Sequence, residues 1–170
     1  MSEIDELRMT VEALMKRVQL LEDQAELSQL VARYGPSVDS GSAEAAAELW
    51  TDDGVFDAVD AIRMQGYDEI VAMVKSDGHQ GLIRNGCGHV LTAPVVVIDG
   101  DEAEGRNYAL NIRWDAQQDR FWVARVSANS WRWVRTPSGW RTAERINANL
   151  DGTPEHRQVL TPPVQKSQGD

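Results

Sequence analysis

The sequence predicts an α+β domain in which N-terminal helices and a cone-shaped, curved antiparallel sheet enclose a pocket. Three observations predict this class. Apolar residues recur at helical spacing in the first half of the chain. In the second half, apolar and polar residues alternate within segments that are separated by turn signals. The length of 170 residues suits one core, and a long twisted sheet curls, so that its concave face and the helices leave a cavity.

The first 25 positions have the apolar spacing of a coiled-coil-like helix, alternating between three and four residues. This apolar series consists of Ile4, Leu7, Val11, Leu14, Val18, Leu21 and Ala25. We expect the helix to continue to about Tyr34 and to end at Gly35-Pro36, because proline lacks the donor that a helix needs. Residues 1–21 are therefore a helical extension, which is either an oligomerisation arm or a helix packed on its own domain.

The main domain is expected to span residues 22–150. A short loop at residues 37–42 leads to a helix, a hairpin and another helix. These elements are the helices at 43–50 and 67–76 and the hairpin strands at 55–58 and 62–65. The four glycines in residues 77–88 indicate a mobile loop. Longer strands follow at residues 89–98, 102–114, 120–135 and 140–149. Residues 151–170 form a tail with three of the six prolines, which predicts an arm or a disordered segment.

The composition excludes several classes of function. A net charge of −10 argues against a nucleic-acid-binding protein, because phosphate binding needs a basic face. Nothing approaches the roughly 18 consecutive apolar residues of a membrane span, and the acidic N-terminus does not resemble a signal peptide. We therefore expect a cytoplasmic protein that binds no membrane. Cys87 is the only cysteine, so an intrachain disulfide is impossible.

Four short segments, taken in order, carry a resemblance to a known superfamily. They are LVARY at residues 30–34 with Asp39 after it, ELWTDDGVF at 48–56, GHVLT at 88–92, and GWR at 139–141 leading to Arg145. Together they resemble the nuclear-transport-factor-2-like (NTF2-like) superfamily, specifically its SnoaL-like and scytalone-dehydratase-like branch. The resemblance covers residues 22–150.

The resemblance implies a catalytic set. In that branch, scytalone dehydratase, a hexachlorocyclohexane dehydrochlorinase and a bile-acid dehydratase use a histidine paired with an aspartate to remove a proton while a leaving group departs. The matching positions here are His89 and Asp39, and Tyr34 matches a pocket tyrosine of several relatives. One dehydratase relative has a further histidine on the strand that corresponds to residues 102–114, and this sequence has none there.

The residue types suit that chemistry. Neutral imidazole abstracts protons near neutral pH, and a carboxylate on one ring nitrogen fixes its tautomer and stabilises the imidazolium. A phenol at Tyr34 would donate to a substrate oxygen as negative charge develops. Each residue also has a structural interpretation: His89 bonded to a backbone carbonyl, Asp39 capping a local turn, and Tyr34 packing in the core.

Further pocket residues are expected on the long strands. Asn111, Asn129 and Trp131 are candidate substrate-binding residues, although the alternation does not show which face of each strand is concave and each of the three could equally be a solvated or interface residue. Five of the six tryptophans fall between residues 114 and 140, where large rings could wall a cavity. We expect His79 to be a surface histidine. The spacing of histidines and carboxylates predicts no metal site.

Two functions remain open at this stage. The first is a cofactor-independent lyase or isomerase, preferably a dehydratase, acting on a small hydrophobic oxygenated ring compound. The alternative is a non-catalytic protein that binds a small molecule, or a structural subunit resembling the small subunit of ring-hydroxylating dioxygenases. Relatives imply a homo-oligomer, either a trimer, weakly favoured, or a dimer. No cofactor is expected.

Overall fold

A computed structural model describes residues 2–164 of the chain. Its helices are α1 (Glu3–Asp39), α2 (Ala43–Ala47), α3 (Gly66–Lys75), α4 (Asp77–Arg84) and α5 (Pro154–Gln158). Its strands are β1 (Trp50–Ala58), β2 (Ile62–Gln65), β3 (Cys87–Leu91), β4 (Val95–Asp99), β5 (Glu102–Asp115), β6 (Arg120–Thr136) and β7 (Gly139–Asn149). Among these residues, no helix combines the length and apolarity needed to cross a bilayer.

The seven strands form one curved, unclosed sheet in the order β2-β1-β7-β6-β5-β3, and β4 also pairs with β5. The expected cone-shaped α+β fold is confirmed, but the expectation of a wholly antiparallel sheet is wrong because β1 runs parallel to β7. These two strands are distant in sequence, so local patterns could not show their pairing. Irregularities between Asn111 and Ile112, and between Arg132 and Trp133, bend the long strands around the helices.

The core lies between the second half of α1 and the concave face of the sheet. Leu27, Leu30 and Val31 are almost fully buried and lie one helical turn apart on one face of α1. From the sheet, Trp133 and Trp140 contribute fully buried rings. Trp131, Trp133 and Trp140 thus add buried apolar area to the core, whereas Trp114 and Trp122 are exposed.

Helix α1 continues five residues beyond Tyr34, through Pro36 to Asp39, instead of ending at Gly35-Pro36. Proline costs the helix one donor, but it lies in the last turn, where the Ser37 hydroxyl donates to the Arg33 carbonyl at 2.8 Å and the Ser40 N–H to the Pro36 carbonyl at 3.0 Å. Tertiary packing of the last turn against β3 outweighs the local preference. Asp39 consequently ends a helix, where a loop was expected.

Two other sequence predictions need correction. Residues 77–84 form α4 instead of a mobile loop, because the Ser76 hydroxyl caps the helix by accepting from the His79 N–H at 3.2 Å. The strand predicted at residues 89–98 is divided into β3 and β4. Pro94 lies in the break, and a proline cannot donate to the ladder that β5 offers.

The tail contacts the rest of the domain within residues 151–164, the part of it that the structure describes. Helix α5 packs near β7, and the Arg106 side chain donates to the Thr161 carbonyl at 3.1 Å. The prediction of an arm or disorder for residues 165–170 lies outside the described residues. The domain boundary at residue 21 falls within the continuous helix α1, so it stays a prediction.

Candidate active site

The last turn of α1 brings Asp39 against the middle of β3. Gly35 makes this approach possible, since a Cβ at that position would collide with the backbone carbonyl of His89. Asp39 then accepts two hydrogen bonds from His89. The ring Nδ1 lies 2.6 Å from Oδ1, and the backbone N–H lies 2.7 Å from Oδ2. The two residues that sequence analysis paired as a dyad are therefore in direct contact.

This arrangement fixes the protonation pattern of the pair. Burial raises the pKa of Asp39, but the hydrogen bonds and the charge of His89 outweigh it and hold that pKa below its usual value. An ionised carboxylate only accepts, so the proton lies on Nδ1 of His89. The opposite ring nitrogen, Nε2, has no hydrogen-bond partner among residues 2–164 and can accept a proton.

His89 lies in the wall of a cavity of about 130 Å³ between the helices and the sheet. An engineered cavity of about 150 Å³ in another protein accommodates benzene, so this space suits a compound with one ring. Apolar side chains dominate the lining. They are Phe56, Ala58, Ala61, Ile62, Met64, Met73, Leu91 and Ala109. The polar members of the lining are Tyr34, His79, His89, Asn111, Arg125 and Arg145.

Tyr34 belongs to both the core and the cavity wall. It is only 6% exposed and packs near Phe56, with 6.4 Å between the ring centroids. Its ring also lies under the guanidinium of Arg145, whose Cζ is 4.3 Å from the ring centroid. The tyrosine thus packs in the core, as one interpretation held, and still lines the cavity next to His89.

The three residues expected to bind substrate divide into two groups. Asn111 lines the cavity and pairs directly with His89 across β3 and β5. Asn129 and Trp131 are fully or almost fully buried and lie outside the lining. Both contact the same lining residue, because Asn129 accepts from the Nε of Arg145 at 2.9 Å and the Trp131 ring lies 4.6 Å from its Cζ.

Arg145 is one of three polar lining residues that sequence analysis missed, together with Arg125 and His79. It is 3% exposed, and its guanidinium lies near the rings of Tyr34, Phe56 and Trp131 at 4.3–4.9 Å. Burial lowers its pKa, and three aromatic faces compensate for part of the lost hydration. The resemblance already included Arg145, but only its position on the inward face of β7 shows that it reaches the cavity.

A second guanidinium, that of Arg125, shares the cavity wall. It donates to the Asn147 side chain at 2.7 Å, and burial lowers its pKa as well. No ion pair joins either Arg125 or Arg145 to a carboxylate in the described part of the chain, and the lining includes none. In a protein with a net charge of −10, the cavity wall therefore has a local excess of positive charge.

His79 is a buried neighbour of His89, so its prediction as a surface histidine is wrong. It is 8% exposed, and its ring centroid lies 5.9 Å from that of His89. Its Nε2 lies 2.9 Å from the Val38 carbonyl oxygen, which can only accept, so this nitrogen donates. The error followed from the loop prediction for residues 77–88, since a histidine on a packed helix has a buried face.

Cys87 joins the dyad in a cluster whose donor atoms lie within 4.8 Å of one another, together with Asp39 and His89. Such a cluster could hold a metal ion in principle. However, Oδ1 of Asp39 is bonded directly to Nδ1 of His89, and burial followed by the charge of Asp39 raises the pKa of the Cys87 thiol. A protonated thiol is a poor ligand, so the three groups fit a hydrogen-bonded cluster better than a metal centre.

Comparisons with known proteins identify the family of the chain. The model of the SnoaL-like domain family matches residues 19–146. No curated protein matches the sequence at a significant level. Among solved structures, an NTF2-like protein with a cystatin-like fold from Novosphingobium aromaticivorans is 41% identical, with a TM-score of 0.84. The alignment covers 86% of this chain and 94% of that chain.

Two more distant structures share the fold alone. A protein from Catenulispora acidiphila in complex with S-DNPA is 23% identical, with a TM-score of 0.65 over 76% of this chain and 94% of that chain. A second Novosphingobium aromaticivorans protein, whose role as an aromatic ring hydroxylase is only proposed, is 22% identical with a TM-score of 0.62, over 76% and 90% of the two chains. The domain match and the 41% identical structure together show that the chain belongs to the SnoaL-like domain family of the NTF2-like superfamily.

Proposed function

We propose that the protein is a cofactor-independent lyase or isomerase that removes a proton from a carbon next to a carbonyl group, with dehydration as the first choice of reaction. The observation that carries the proposal is the His89–Asp39 pair in a cavity wall, whose carboxylate fixes Nδ1–H while Nε2 has no partner within the described part of the chain. The SnoaL-like family includes polyketide cyclases and isomerases, whose chemistry is of this kind.

The first step breaks a C–H bond. Nε2 of His89 takes the proton, and the electron pair moves through the carbon to the carbonyl oxygen, which becomes an enolate. Asp39 stabilises the imidazolium formed at His89. A hydrogen bond from Tyr34 and the positive charges of Arg125 and Arg145 stabilise the enolate in a cavity with a mainly apolar lining.

The second step decides between the two reaction types. In dehydration, the enolate collapses, a carbon–carbon double bond forms, and the C–O bond of a β-hydroxyl group breaks. The imidazolium of His89 returns the proton to that oxygen, so that water leaves and the base is regenerated. In isomerisation, the substrate has a β,γ double bond conjugated with the enolate, and the same proton returns to the γ carbon, so that the double bond moves next to the carbonyl group. His89 serves as base and then as acid in both cases.

The cavity supports a substrate with one hydrophobic ring and one or two oxygen atoms. Its volume of about 130 Å³ and its apolar lining favour a ring, while Tyr34 and Asn111 provide groups that could bond to oxygen. The Catenulispora acidiphila protein of the same fold holds S-DNPA, which is consistent with a fold that accommodates small organic ligands. This substrate class is part of the proposal.

A deuterium-exchange screen tests the function without a known substrate. Cyclic ketones and β-hydroxy cyclic ketones are incubated with the protein in D₂O, and NMR detects deuterium at the α carbon or the loss of water. We expect the wild type to exchange at least one compound and His89→Gln to lose this activity. His156→Gln is the matched control, because His156 lies on α5 outside the cavity lining.

Equal exchange by the wild type and His89→Gln would contradict the proposal. A compound that binds without exchange or turnover would instead favour the alternative, a non-catalytic binding protein. Co-purification with a stoichiometric larger subunit from the native host would favour the structural-subunit function.

A further inference from the structure

The first part of α1 leaves the domain as a free arm. Every residue from Glu3 to Glu22 is exposed, and the domain begins to cover the helix only at Asp23. The arm starts at a complete capping box, in which the Ser2 hydroxyl accepts from the Asp5 N–H and the Asp5 carboxylate accepts from the Ser2 N–H. A helix of about 20 residues that packs on nothing is marginal in water, so this arm needs a partner.

The exposed apolar residues of the arm form one continuous seam. In heptads written abcdefg, Ile4, Val11 and Val18 occupy the a positions, and Leu7, Leu14 and Leu21 occupy the d positions. Each of these six side chains is between 46% and 72% exposed. β-branched residues at a with leucine at d favour a parallel coiled coil of two strands.

The domain covers the opposite side of the helix and leaves the seam free. In the same heptad frame, the buried residues Asp23, Leu27 and Leu30 occupy f, c and f positions, whereas Leu21 at d and Ala25 at a remain exposed. The expectation that this segment packs on its own domain is therefore not met for residues 3–22. A second helix can lie along the seam without displacing any contact within the domain.

The charged residues beside the seam indicate a second copy as the partner and a parallel direction for its helix. In a parallel dimer, each g residue faces the e residue five positions later on the other chain. Glu3 at g would then face Arg8 of a second copy, and Arg17 at g would face Glu22 of that copy. Both pairs unite opposite charges, and the symmetry of the dimer forms each of them twice.

We propose that residues 3–24 of two copies form a parallel, in-register, two-stranded coiled coil. Hydrophobic burial of the a and d side chains supplies the stability, and the two kinds of g–e pair fix the register and the direction. The proposal concerns a surface remote from the cavity, so it stands or falls independently of the proposed enzymatic function.

Light scattering coupled to size exclusion of the full chain tests the seam. We expect Leu14→Glu to halve the mass of the wild-type assembly. Leu20→Glu is the matched control, because Leu20 is a similarly exposed leucine at a c position, and this variant keeps the wild-type mass. A monomeric or trimeric wild type, or an unchanged mass for Leu14→Glu, would overturn the proposal.

Cysteine cross-linking tests the direction and the register. In a Cys87→Ala background, Leu14→Cys places two thiols face to face across a parallel, in-register seam, and Leu20→Cys does not. We expect an intermolecular disulfide with Leu14→Cys alone under mild oxidation. Equal cross-linking of the two variants, or none with Leu14→Cys, would show that the parallel arrangement is wrong.

A charge exchange separates the electrostatic argument from simple unfolding of the arm. Arg17→Glu should weaken the dimer because Glu22 then faces a like charge. The double variant Arg17→Glu with Glu22→Arg should restore it, since opposite charges face each other again. A double variant as weak as the single one would contradict the proposed g–e pairing.

Discussion

Helix α1 presents two aspartates to the rest of the domain, and their partners differ. Asp23 accepts hydrogen bonds from both terminal nitrogens of Arg135, at 2.8 and 2.7 Å, and from Nε1 of Trp140 at 3.0 Å. Asp39 accepts from the ring and the backbone of His89. The first pair joins the helix to β6 and β7, while the second joins it to β3 at the cavity.

The difference lies in what the partner can do with a proton. A guanidinium and an indole keep their protons at any physiological pH, so the hydrogen bonds of Asp23 can only stabilise the fold. A neutral imidazole can take a proton from a substrate, and the second ring nitrogen of His89 has no hydrogen-bond partner among residues 2–164. An aspartate of this helix becomes part of a chemical site when its partner can take a proton and lines a cavity.

The largest expected effect is that of Asp39→Asn on turnover of a compound found in the exchange screen. An amide can donate to Nδ1, which favours the wrong tautomer of His89, so we expect kcat/KM to fall by about 10²- to 10⁴-fold. The unfolding temperature should change little. Asp151→Asn is the control, since Asp151 neighbours His156 at 3.4 Å outside the cavity lining. An Asp39→Asn enzyme with wild-type turnover would remove Asp39 from the mechanism.

The corresponding change at the other aspartate should affect stability instead. Asp23→Ala leaves the buried Nε1 of Trp140 unpaired and breaks the contact with Arg135, so the free energy of unfolding should fall by about 3 kcal/mol. Chemical denaturation measures this loss. Asp101→Ala is the matched control, because Asp101 contacts Arg135 at 2.9 Å from a largely exposed position, where a pair contributes at most about 1 kcal/mol. Equal losses in the two variants would contradict the comparison.

Low pH should remove the stability that the contact of Asp23 with Arg135 contributes. The hydrogen bonds of Arg135 lower the pKa of Asp23 from 3.8 to about 2. Because the folded pKa is below the unfolded one, this contribution of about 2 kcal/mol is complete above about pH 4 and is lost as the pH falls toward 2. The stability difference between wild type and Asp23→Asn should therefore shrink in that window. Denaturation at pH values about one unit apart, from about pH 6 to about pH 2, measures this difference in stability. A constant difference across that range would show that Asp23 is not ionised in the fold.

The smallest expected effect concerns Tyr34. Removal of its hydroxyl in Tyr34→Phe takes away one hydrogen bond to the enolate, which should lower kcat by about tenfold, or about 1.4 kcal/mol. The ring stays in place under Arg145, so stability should be nearly unchanged. Tyr108→Phe serves as the control because Tyr108 is 48% exposed and lies outside the lining. An unchanged kcat together with a lower free energy of unfolding would show that Tyr34 packs in the core and does not act on the substrate.

Much of the fold follows from local patterns in the sequence. The structure confirms the helix predicted from the apolar period of α1, the hairpin strands at residues 55–58 and 62–65, and the long strands predicted from residue 102 onward. Glycine and proline misled the prediction of where α1 ends. Gly35 serves the close approach of α1 to β3, and Pro36 is tolerated in a last turn that packs on the sheet. Such positions depend on tertiary contacts that no local pattern encodes.

The site was predictable only in part for the same reason. His89, Asp39 and Tyr34 could be found because the ordered segments resemble the family. His79 and Arg125 could not, since both reach the cavity through the packing of α4 and the curvature of β6. The alternation of side chains along β5 placed Asn111 on one of its two faces, but it did not show which face is concave. The parallel pairing of β1 with β7 and the bends in the long strands determine that.

The most direct test of the catalytic dyad is the tautomer of its histidine. ¹⁵N NMR at mildly alkaline pH, with assignments from His79→Gln and His89→Gln, reports which ring nitrogen of each histidine carries the proton. The account predicts opposite tautomers in the two neighbours: Nδ1–H with a free Nε2 for His89, and Nε2–H for His79, which donates to the Val38 carbonyl. A protonated Nε2 and an unprotonated Nδ1 at His89 would contradict the central claim, because Nε2 could then not take a proton from a substrate.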